Sequence, residues 1–372
     1  MSHITKQVIK GWYNQIVANM DRPESANKKM NGDDQLRNRK SKFLANTSAE
    51  SSCDAQANLV ATGTQNKGKS IGAMLNAIYK YSRVYVLKGT VLSIISISLL
   101  AVQSLSDLTP SFFLGVLQAV IGGCLANLYV VGFNQLSDIE IDKINKPYLP
   151  LASGELSVKE GIRITSLYAI LGFCLGWSVK SWHLKLCLFL WYTVGTAYSV
   201  HLPLLRWKKY PVVVAICSWL FQGVTLPMLF HLHAQTNIHG RPLSLSKHAI
   251  FVFGIMGIHS MALLIFKDIP DVEGDKRHGF HSFASKFGQK RVFWICIWLL
   301  ELIYGVAILI GLSSTHLWIR LAMVIAHSIL GFVVWRKANL VDLNSIEATE
   351  SFYMFMWKLY YMEYLLVPIL RF

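Results

Sequence analysis

Charged residues are scarce in this sequence. Only 15% of the 372 residues are Asp, Glu, Lys or Arg, against about 25% in a typical soluble domain, and 53% are hydrophobic. Segments of about ten residues with alternating polarity are also absent, which argues against a transmembrane β-barrel. The apolar residues instead form nine segments of 18 or more residues that are nearly free of charge, each close to the roughly 20 residues that a helix needs to cross a bilayer. These segments are 84–105, 112–133, 161–181, 184–201, 212–230, 248–267, 291–312, 316–335 and 353–370. The sequence therefore predicts an all-α, polytopic membrane protein with about nine transmembrane helices.

Cysteine pairs and nucleic-acid-binding signatures are missing as well. The six cysteines are scattered, five of them within predicted spans, and no C-x-x-C pair occurs, so neither a zinc site nor a disulfide framework is indicated. The net charge of +15 comes without zinc-finger spacing or an RNA-binding aromatic signature, which argues against nucleic acid as a partner. Beyond residue 83, most Lys and Arg residues lie in the loops that follow even-numbered spans, 134–160, 202–211, 268–290 and 336–352. The positive-inside rule puts these loops on one face, which in an organelle is the stromal or matrix side.

Residues 1–83 differ in composition from the rest of the chain. They are rich in Lys, Arg, Ser and Asn and contain little continuous apolar sequence, so we expect most of this segment to be disordered. Apolar residues recur at helical spacing from Ile4 to Met20, and the first acidic residue is Asp21, which favours an organelle transit peptide over a merely disordered tail. These residues do not distinguish a plastid from a mitochondrion. We therefore expect a leader at 1–83 and a transmembrane domain at 84–372.

Acidic residues gather in the loop after the second predicted span. Asn134, Asp138 and Asp142 are spaced four residues apart, so a helix would place them on one stripe at the water end of the span. Two basic residues, Lys143 and Lys146, follow directly. The stripe therefore places carboxylates and cations close together at the membrane surface.

The loop after the sixth predicted span has a similar arrangement. Asp271 and Asp275 are again four residues apart, and Lys267 lies one helical turn before Asp271. Lys276 and Arg277 follow the second carboxylate. Because both loops follow even-numbered spans, we expect the two acidic pairs on the same face of the membrane.

Two pairs of carboxylates in these positions need a counter-charge. Like charges four residues apart on a helix repel each other, and charges inside the membrane are costly. Mg²⁺ typically binds one or two carboxylates together with phosphate oxygens, while Lys and Arg hold phosphate directly. A solvated polar cap is the alternative interpretation, but two matching pairs favour a Mg²⁺–diphosphate site. The candidate metal ligands are Asp138, Asp142, Asp271 and Asp275, and the candidate diphosphate-binding residues are Lys143, Lys146, Lys267, Lys276 and Arg277.

Longer motifs surround these acids and occur further along the chain. They are N-Q-L-S-D-I-E-I-D at 134–142, K-I-N-K-P-Y-L-P-L-A-S-G-E at 143–155, L-P-L-L-R-W-K-K at 202–209, K-D-I-P-D-V-E-G-D at 267–275, G-Q-K-R-V-F-W at 288–294 and S-F-Y-M-F-M-W-K-L at 351–359. These motifs resemble those of the UbiA-type intramembrane aromatic prenyltransferases, and within that family most resemble the plant branch that contains homogentisate, flavonoid and coumarin prenyltransferases. The similarity runs from about residue 83 to the C-terminus.

The resemblance implies a central cavity lined by nine helices, with both acidic motifs at its mouth binding a prenyl diphosphate through Mg²⁺. It makes Asn134 part of the first motif, as a contact of the diphosphate, and adds Asp268 to the metal ligands of the second. The implied reaction joins the prenyl group to an aromatic carbon of a phenolic acceptor, in a dry cavity that protects the allylic cation from water. The residues it implies for catalysis are Asp138, Asp142, Asp271 and Asp275. Aromatic candidates to stabilise the cation, each otherwise an ordinary core residue, are Trp191, Tyr192, Tyr198, Trp219, Phe221, Tyr360 and Tyr361.

Two features depart from the homogentisate enzymes of that branch. Arg83 is followed by Val84 where they usually have Pro, and the fifth span with its following loop, which contains His231 and His233, looks unlike theirs. We therefore expect a flavonoid or coumarin as the acceptor, with homogentisate as the alternative. A plastid membrane is favoured over a mitochondrial one.

Two alternatives come from other functional classes. A divalent-cation or phosphate transporter would use the acidic pairs as its ion site, but transporter sites usually lie near the bilayer midplane rather than at one end of the spans. A non-catalytic scaffold gives no reason for the spacing of the acids.

Overall fold

The structure, a computed structural model, describes residues 70–371. Regular structure in this part of the chain is helical, with short 3₁₀ turns at Leu105–Asp107, Trp207–Lys209 and Val367–Arg371. The helices are α1 (Ile71–Tyr81), α2 (Val84–Leu99), α3 (Pro110–Ser137), α4 (Ile139–Asn145), α5 (Pro150–Ser153), α6 (Val158–Ser178), α7 (Trp182–Ser199), α8 (Pro211–Ile238), α9 (Lys247–Phe266), α10 (Val272–Arg277), α11 (Phe283–Phe287), α12 (Gln289–Leu312), α13 (Leu317–Ala338) and α14 (Ile346–Leu366).

Each of the nine predicted spans coincides with one of these helices. Within residues 70–371, six helices are long and apolar enough to cross a membrane, namely α3, α6, α8, α9, α12 and α13. A seventh span results if α1 and α2 count as one, although they meet at a bend of 59°. The remaining two, α7 and α14, carry more polar and aromatic residues and do not meet the same criterion. The all-α membrane fold is confirmed, whereas the count of nine spans is not.

Residues from Met74 onward belong to one compact unit, and the expected boundary at residue 84 stays a prediction. Tyr81 at the end of α1 is buried, and its hydroxyl lies 3.1 Å from the Gly132 carbonyl oxygen and 2.8 Å from the Thr165 hydroxyl. These bonds fasten α1 to α3 and α6. Most of the expected leader, including its transit-peptide features, lies outside the described residues.

Local sequence signals explain where several of the long helices begin. The Thr109 hydroxyl accepts a hydrogen bond from the Phe112 amide (3.2 Å), and Pro110 occupies the first turn of α3, where its missing N–H costs nothing. Ser157 and Glu160 form a capping box at the start of α6. Hydrogen bonds with polar N-cap side chains thus fix where these two helices begin.

Helix α8 extends further than its predicted span of 212–230. The prediction of a loop at His231 and His233 is wrong, because both residues are helical and buried. The His233 Nε2 atom lies 3.2 Å from the Gly115 carbonyl oxygen. Two stretches of α8, Ser218–Thr225 and His233–Ile238, are π-helical. The first precedes Pro227, which has no N–H to donate to a regular α-helical ladder, and the wider turn accommodates it.

The helix contacts close into a ring. Helix α2 packs against α3, α3 against α7, α7 against α8, α8 against α9, α9 against α14, and α14 back against α2. Helix α6 packs on the outside of α3, and the hairpin of α12 and α13 packs on the outside of α9. The ring encloses the cavity in which the functional residues lie.

Candidate functional site

The ring of helices encloses a cavity of about 640 Å³, which falls within the range of roughly 300–1,000 Å³ typical of ligand pockets. One end of it is strongly charged, and its walls further in are apolar and aromatic. We call the charged end the acidic mouth. It consists of Asn134, Asp138, Asp142, Lys146, Lys208, Lys267, Asp268, Asp271 and Asp275, all of which line the cavity.

The first acidic cluster lies at the end of α3. Helix α3 stops at Ser137, Asp138 leaves the helical conformation, and Asp142 lies on the short α4 that follows. The Asn134 amide donates to the Asp138 carboxylate (3.0 Å) and to the Ser199 hydroxyl (3.2 Å). The single helical stripe that the sequence predicts is therefore interrupted at Asp138, yet all three side chains still face the cavity.

Cations from another loop neutralise the first cluster. Lys208 forms an ion pair with Asp138, and the Arg206 Nη2 atom lies 3.4 Å from the other carboxylate oxygen. Burial alone would raise the pKa of Asp138, but these two positive charges outweigh it and lower the pKa below its usual value. Asp138 is consequently ionised across the physiological range.

The second cluster follows α9 in an irregular turn. The Lys267 ammonium lies 2.7 Å from the Asp268 carboxylate, and Lys146 from the first loop pairs with Asp271. The sequence suggested Lys267 as a neighbour of Asp271, whereas in the structure its ion pair is with Asp268. The Lys146–Asp271 pair joins the two predicted motifs directly.

A close contact between α4 and α10 brings the two motifs together. The Gly274 amide donates to the Asn145 Oδ1 atom (2.9 Å), and the Asn145 amide lies 3.5 Å from the Asp275 carboxylate. A Cβ atom at position 274 would lie only 2.2 Å from Asn145 Oδ1. A side chain at 274 would thus force the Asn145 side chain out of the contact that joins the two loops.

Two carboxyl groups of the acidic mouth are held partly protonated near neutral pH. Burial, against the opposing charges of Arg83 and Lys146, raises the pKa of Asp142 to about 6. Burial together with the charges of Asp268 and Asp271 raises the pKa of Asp275 to about 7. A cation bound nearby would favour the ionised form of both carboxyl groups.

The donor set of the acidic mouth fits a hard divalent cation. Among the described residues, no three His, Cys, Asp or Glu side chains converge closely enough to hold a metal ion, and lysines pair with Asp138 and Asp271. The available donors are nevertheless all carboxylate oxygens, as Mg²⁺ requires. The Asp271 Oδ1 atom is buried and has no hydrogen-bond partner, which leaves one ligand position open.

Aromatic side chains form much of the cavity wall below the acidic mouth. Of the seven aromatic candidates, Trp191, Tyr198, Phe221 and Tyr360 line the cavity, whereas Tyr192, Trp219 and Tyr361 do not. The structure adds Phe230, Tyr353, Trp357 and Tyr364 to the lining. These rings give the cavity an apolar interior with many π faces.

Three of the predicted cations lie outside the cavity. Lys143 pairs with Glu140 (3.1 Å) and Arg277 with Glu273 (2.5 Å), and all four side chains are exposed. Lys276 is also exposed and does not line the cavity either. A direct role of these three residues with phosphate stays a prediction.

Sequence reasoning missed several residues of the site. Arg206 and Lys208 are paired with Asp138, and Arg83 lines the cavity from the bend between α1 and α2. The signal for the first two was present in L-P-L-L-R-W-K-K, a basic loop on the same face as the acidic motifs. Arg83 has a positive φ of 43°, which no local pattern indicates.

Comparisons with known proteins give a consistent result. A profile of the UbiA prenyltransferase family matches residues 90–359. Homogentisate phytyltransferase 1, chloroplastic, of Arabidopsis thaliana is 48% identical over 308 residues, which cover 83% of this chain and 78% of that relative. Naringenin 8-dimethylallyltransferase 2, chloroplastic, of Sophora flavescens is 44% identical over 330 residues, which cover 89% of this chain and 81% of that relative. The solved structure of a UbiA homologue from Archaeoglobus fulgidus bound to GPP and Mg²⁺ matches with a TM-score of 0.52 and 16% identity, over 78% of this chain and 99% of that chain.

These matches bear on several of the predictions made above. The resemblance, the helical membrane architecture and an aromatic prenyltransferase activity are confirmed. The chloroplastic relatives and the apolar helices confirm a multi-pass protein of a plastid membrane. The transporter and scaffold alternatives find no support in the family. Identity alone does not choose between homogentisate and a flavonoid as the acceptor, because relatives of both kinds are similarly close.

Proposed function

Because this chain belongs to the UbiA prenyltransferase family, we propose that it transfers a prenyl group from a prenyl diphosphate to a ring carbon of a plant phenol with the help of Mg²⁺. The observation that supports this most strongly is the division of the cavity into an acidic mouth and an aromatic interior. A prenyl diphosphate has the same division, with a polyanionic head on an apolar chain. The mouth suits the head, and the interior suits the prenyl chain and the acceptor ring.

The acidic mouth offers both signs of charge to the diphosphate. The proposed metal ligands are Asp138, Asp142, Asp268, Asp271 and Asp275. Bound Mg²⁺ supplies Lewis-acid stabilisation of the leaving diphosphate and neutralises the carboxylates. Lys146 and Lys208 now pair with carboxylates, and they are placed to donate to phosphate oxygens when those carboxylates turn to the cation. Asn134 completes the polar contacts at this end.

The interior of the cavity serves the transfer step. The bond between C1 of the prenyl group and the diphosphate oxygen breaks, and its electron pair leaves with the diphosphate. A ring carbon of the phenol forms the new bond to C1, and the ring then loses its proton to the released diphosphate. Trp191, Phe221 and Trp357 line the space below the acidic mouth, where they exclude water and present π faces to the developing cation.

Two acceptor classes are consistent with the family. A flavonoid or coumarin is favoured because Val84 follows Arg83 where the homogentisate enzymes usually have Pro. Homogentisate is the second candidate, and the 48% identity to an enzyme named homogentisate phytyltransferase supports it. The two classes differ in size, since homogentisate has a single ring and the flavonoids have at least two.

Membranes that contain the expressed protein provide the test of this proposal. They are incubated with labelled dimethylallyl or geranyl diphosphate and a panel of flavonoids, coumarins and homogentisate, with Mg²⁺ or with EDTA. We expect a carbon-prenylated product that forms with Mg²⁺ and disappears with EDTA, and the panel identifies donor and acceptor together. Product formation that is indifferent to EDTA would contradict the metal assignment. Absence of any product in well-expressed membranes would contradict the proposed substrates.

A further inference from the structure

A chain of hydroxyl groups lies at the end of the cavity away from the acidic mouth. The Ser260 hydroxyl lies 3.1 Å from the Tyr360 hydroxyl, which in turn lies 3.3 Å from the Tyr364 hydroxyl. Tyr364 forms a further hydrogen bond with Ser93. All four residues line the cavity, and Ser260, Tyr360 and Tyr364 are otherwise buried. We call Ser260, Tyr360 and Tyr364 the hydroxyl cluster.

The direction of the hydrogen bonds in this chain follows from its last member. The Ser93 hydroxyl donates its only proton to the Thr90 carbonyl oxygen (2.8 Å), so it can only accept from Tyr364. Tyr360 then donates to Tyr364, and Ser260 donates to Tyr360. Among the described residues, the bond to Tyr360 is the one hydrogen bond of the Ser260 hydroxyl, so its oxygen can still accept a proton from a molecule in the cavity that it lines. An incoming O–H group is the natural partner for that oxygen.

The position of the hydroxyl cluster sets the size of the partner. Along α9, Ser260 lies seven residues before Lys267 of the acidic mouth, which corresponds to roughly 10 Å of helix. A one-ring phenol that reacts just below the mouth is too short to reach so far. A two-ring phenol with a hydroxyl at its far end has the required length.

An apolar prenyl chain is a poorer occupant of this end of the cavity. Hydrocarbon placed against Ser260 would leave the lone pairs of its buried oxygen unused beside the bond to Tyr360, whereas a hydroxyl of the acceptor would use them. The walls beside the cluster, by contrast, suit flat aromatic rings, because Phe230 and Trp357 line the same cavity. The polar end and the aromatic walls together match an extended phenolic molecule.

We infer that the hydroxyl cluster, through Ser260, binds the far hydroxyl of a two-ring phenolic acceptor and so selects flavonoid-sized acceptors. This inference rests on the proposed function, because it concerns the acceptor of that same reaction. Ser260, Tyr360 and Tyr364 are specificity residues in this scheme, and the acidic mouth still provides the chemistry.

A matched pair of acceptors tests the inference. Naringenin carries a hydroxyl on its far ring, and its analogue without that hydroxyl serves as the comparison. We expect the wild-type protein to prefer naringenin by about tenfold in kcat/KM, the size of effect that one well-placed hydrogen bond supplies. In Ser260→Ala, the KM for naringenin should rise until the preference disappears, while the KM for the prenyl diphosphate stays unchanged. Activity of this variant on the analogue shows that it is folded.

Two further variants sharpen the test. Tyr360→Phe removes the hydroxyl that orients Ser260 and should also weaken the preference for naringenin. Tyr304→Phe removes a buried hydroxyl that does not line the cavity and should leave the preference intact. An equal loss on both acceptors in Ser260→Ala, or a rise in the KM for the prenyl diphosphate, would overturn the inference. A wild-type protein that prenylates neither acceptor, but does prenylate homogentisate, would instead contradict the proposed acceptor class and the inference with it.

Discussion

At the scale of single residues, the acidic mouth is a set of compensated charges. Asp138 is paired with Lys208, Asp268 with Lys267, and Asp271 is paired with a lysine of the opposite motif. Unpaired carboxylates at the end of a membrane span would be costly, and the lysines reduce that cost while no cation is bound. When a cation binds the carboxylates, the same lysines become available to phosphate. One group of residues thus serves the protein both without and with the cation.

The raised pKa values of two carboxyl groups predict a characteristic pH dependence. Asp142 and Asp275, with pKa values of about 6 and about 7, are protonated in acid and cannot bind a cation in that form. At limiting Mg²⁺, the transfer rate should therefore rise as the pH increases through 6 and 7 and level off above these values. Saturating Mg²⁺ competes with protons and should shift the rise to lower pH. Initial rates measured at both Mg²⁺ concentrations check this, and identical pH profiles would contradict it.

At the scale of secondary-structure elements, the site depends on the contact of α4 with α10. In Gly274→Ala, the new methyl carbon would lie 2.2 Å from the Asn145 Oδ1 atom if nothing else moved. The two loops would move apart and misplace the carboxylates, and we expect a loss of at least about tenfold in kcat/KM with normal expression. Gly305→Ala in α12 is the control, since a Cβ atom there meets nothing within 4 Å. Equal activities of the two variants would show that the contact does not position the site.

The crossing of α8 and α9 sets the stability of the ring. A Cβ atom at Gly223 would lie 1.9 Å from the backbone of Gly257, so the two helix backbones come into direct contact at this pair of glycines. Gly223→Ala should lower the midpoint of thermal unfolding in detergent by at least about 3 °C, because overpacking costs about 1–3 kcal/mol. Gly254→Ala, also on α9, meets nothing within 4 Å and should leave the midpoint unchanged. An unaltered midpoint in Gly223→Ala would mean that the helices can separate without cost.

The sequence predicted helices and acidic motifs well because both depend on local patterns. Apolar segments locate the helices, and the four-residue spacing identifies Asp138 with Asp142 and Asp271 with Asp275. The pairings of Asp138 with Lys208 and of Gly274 with Asn145 join residues far apart in the chain. Such contacts arise from helix packing, which no local pattern encodes. The extension of α8 through its two π-helical stretches escaped prediction because the polar histidines resembled a loop.

At the scale of the whole molecule, the positive charges fix the orientation in the membrane. Helix α6 tests this directly, because exposed lysines lie at both of its ends, Lys159 on the side of the acidic mouth and Lys180 on the other. In plastid membrane vesicles, an impermeant thiol reagent should label Lys159→Cys from the stromal side and Lys180→Cys only from the opposite side. The wild-type protein, labelled in parallel, corrects for its own cysteines. The reverse pattern would contradict the orientation.

The central claim is that the two acidic clusters act together on the prenyl diphosphate, and Asp271→Asn tests it most directly. The substitution keeps the size of the side chain but removes the charge beside the open ligand position. Glu273→Gln is the matched control, because this exposed side chain belongs to the same segment and faces away from the cavity. With Mg²⁺ and equal amounts of inserted protein, we expect the transfer rate to fall by about 100-fold or more in Asp271→Asn and to stay near the wild-type value in Glu273→Gln. Retained transfer in Asp271→Asn would contradict the account.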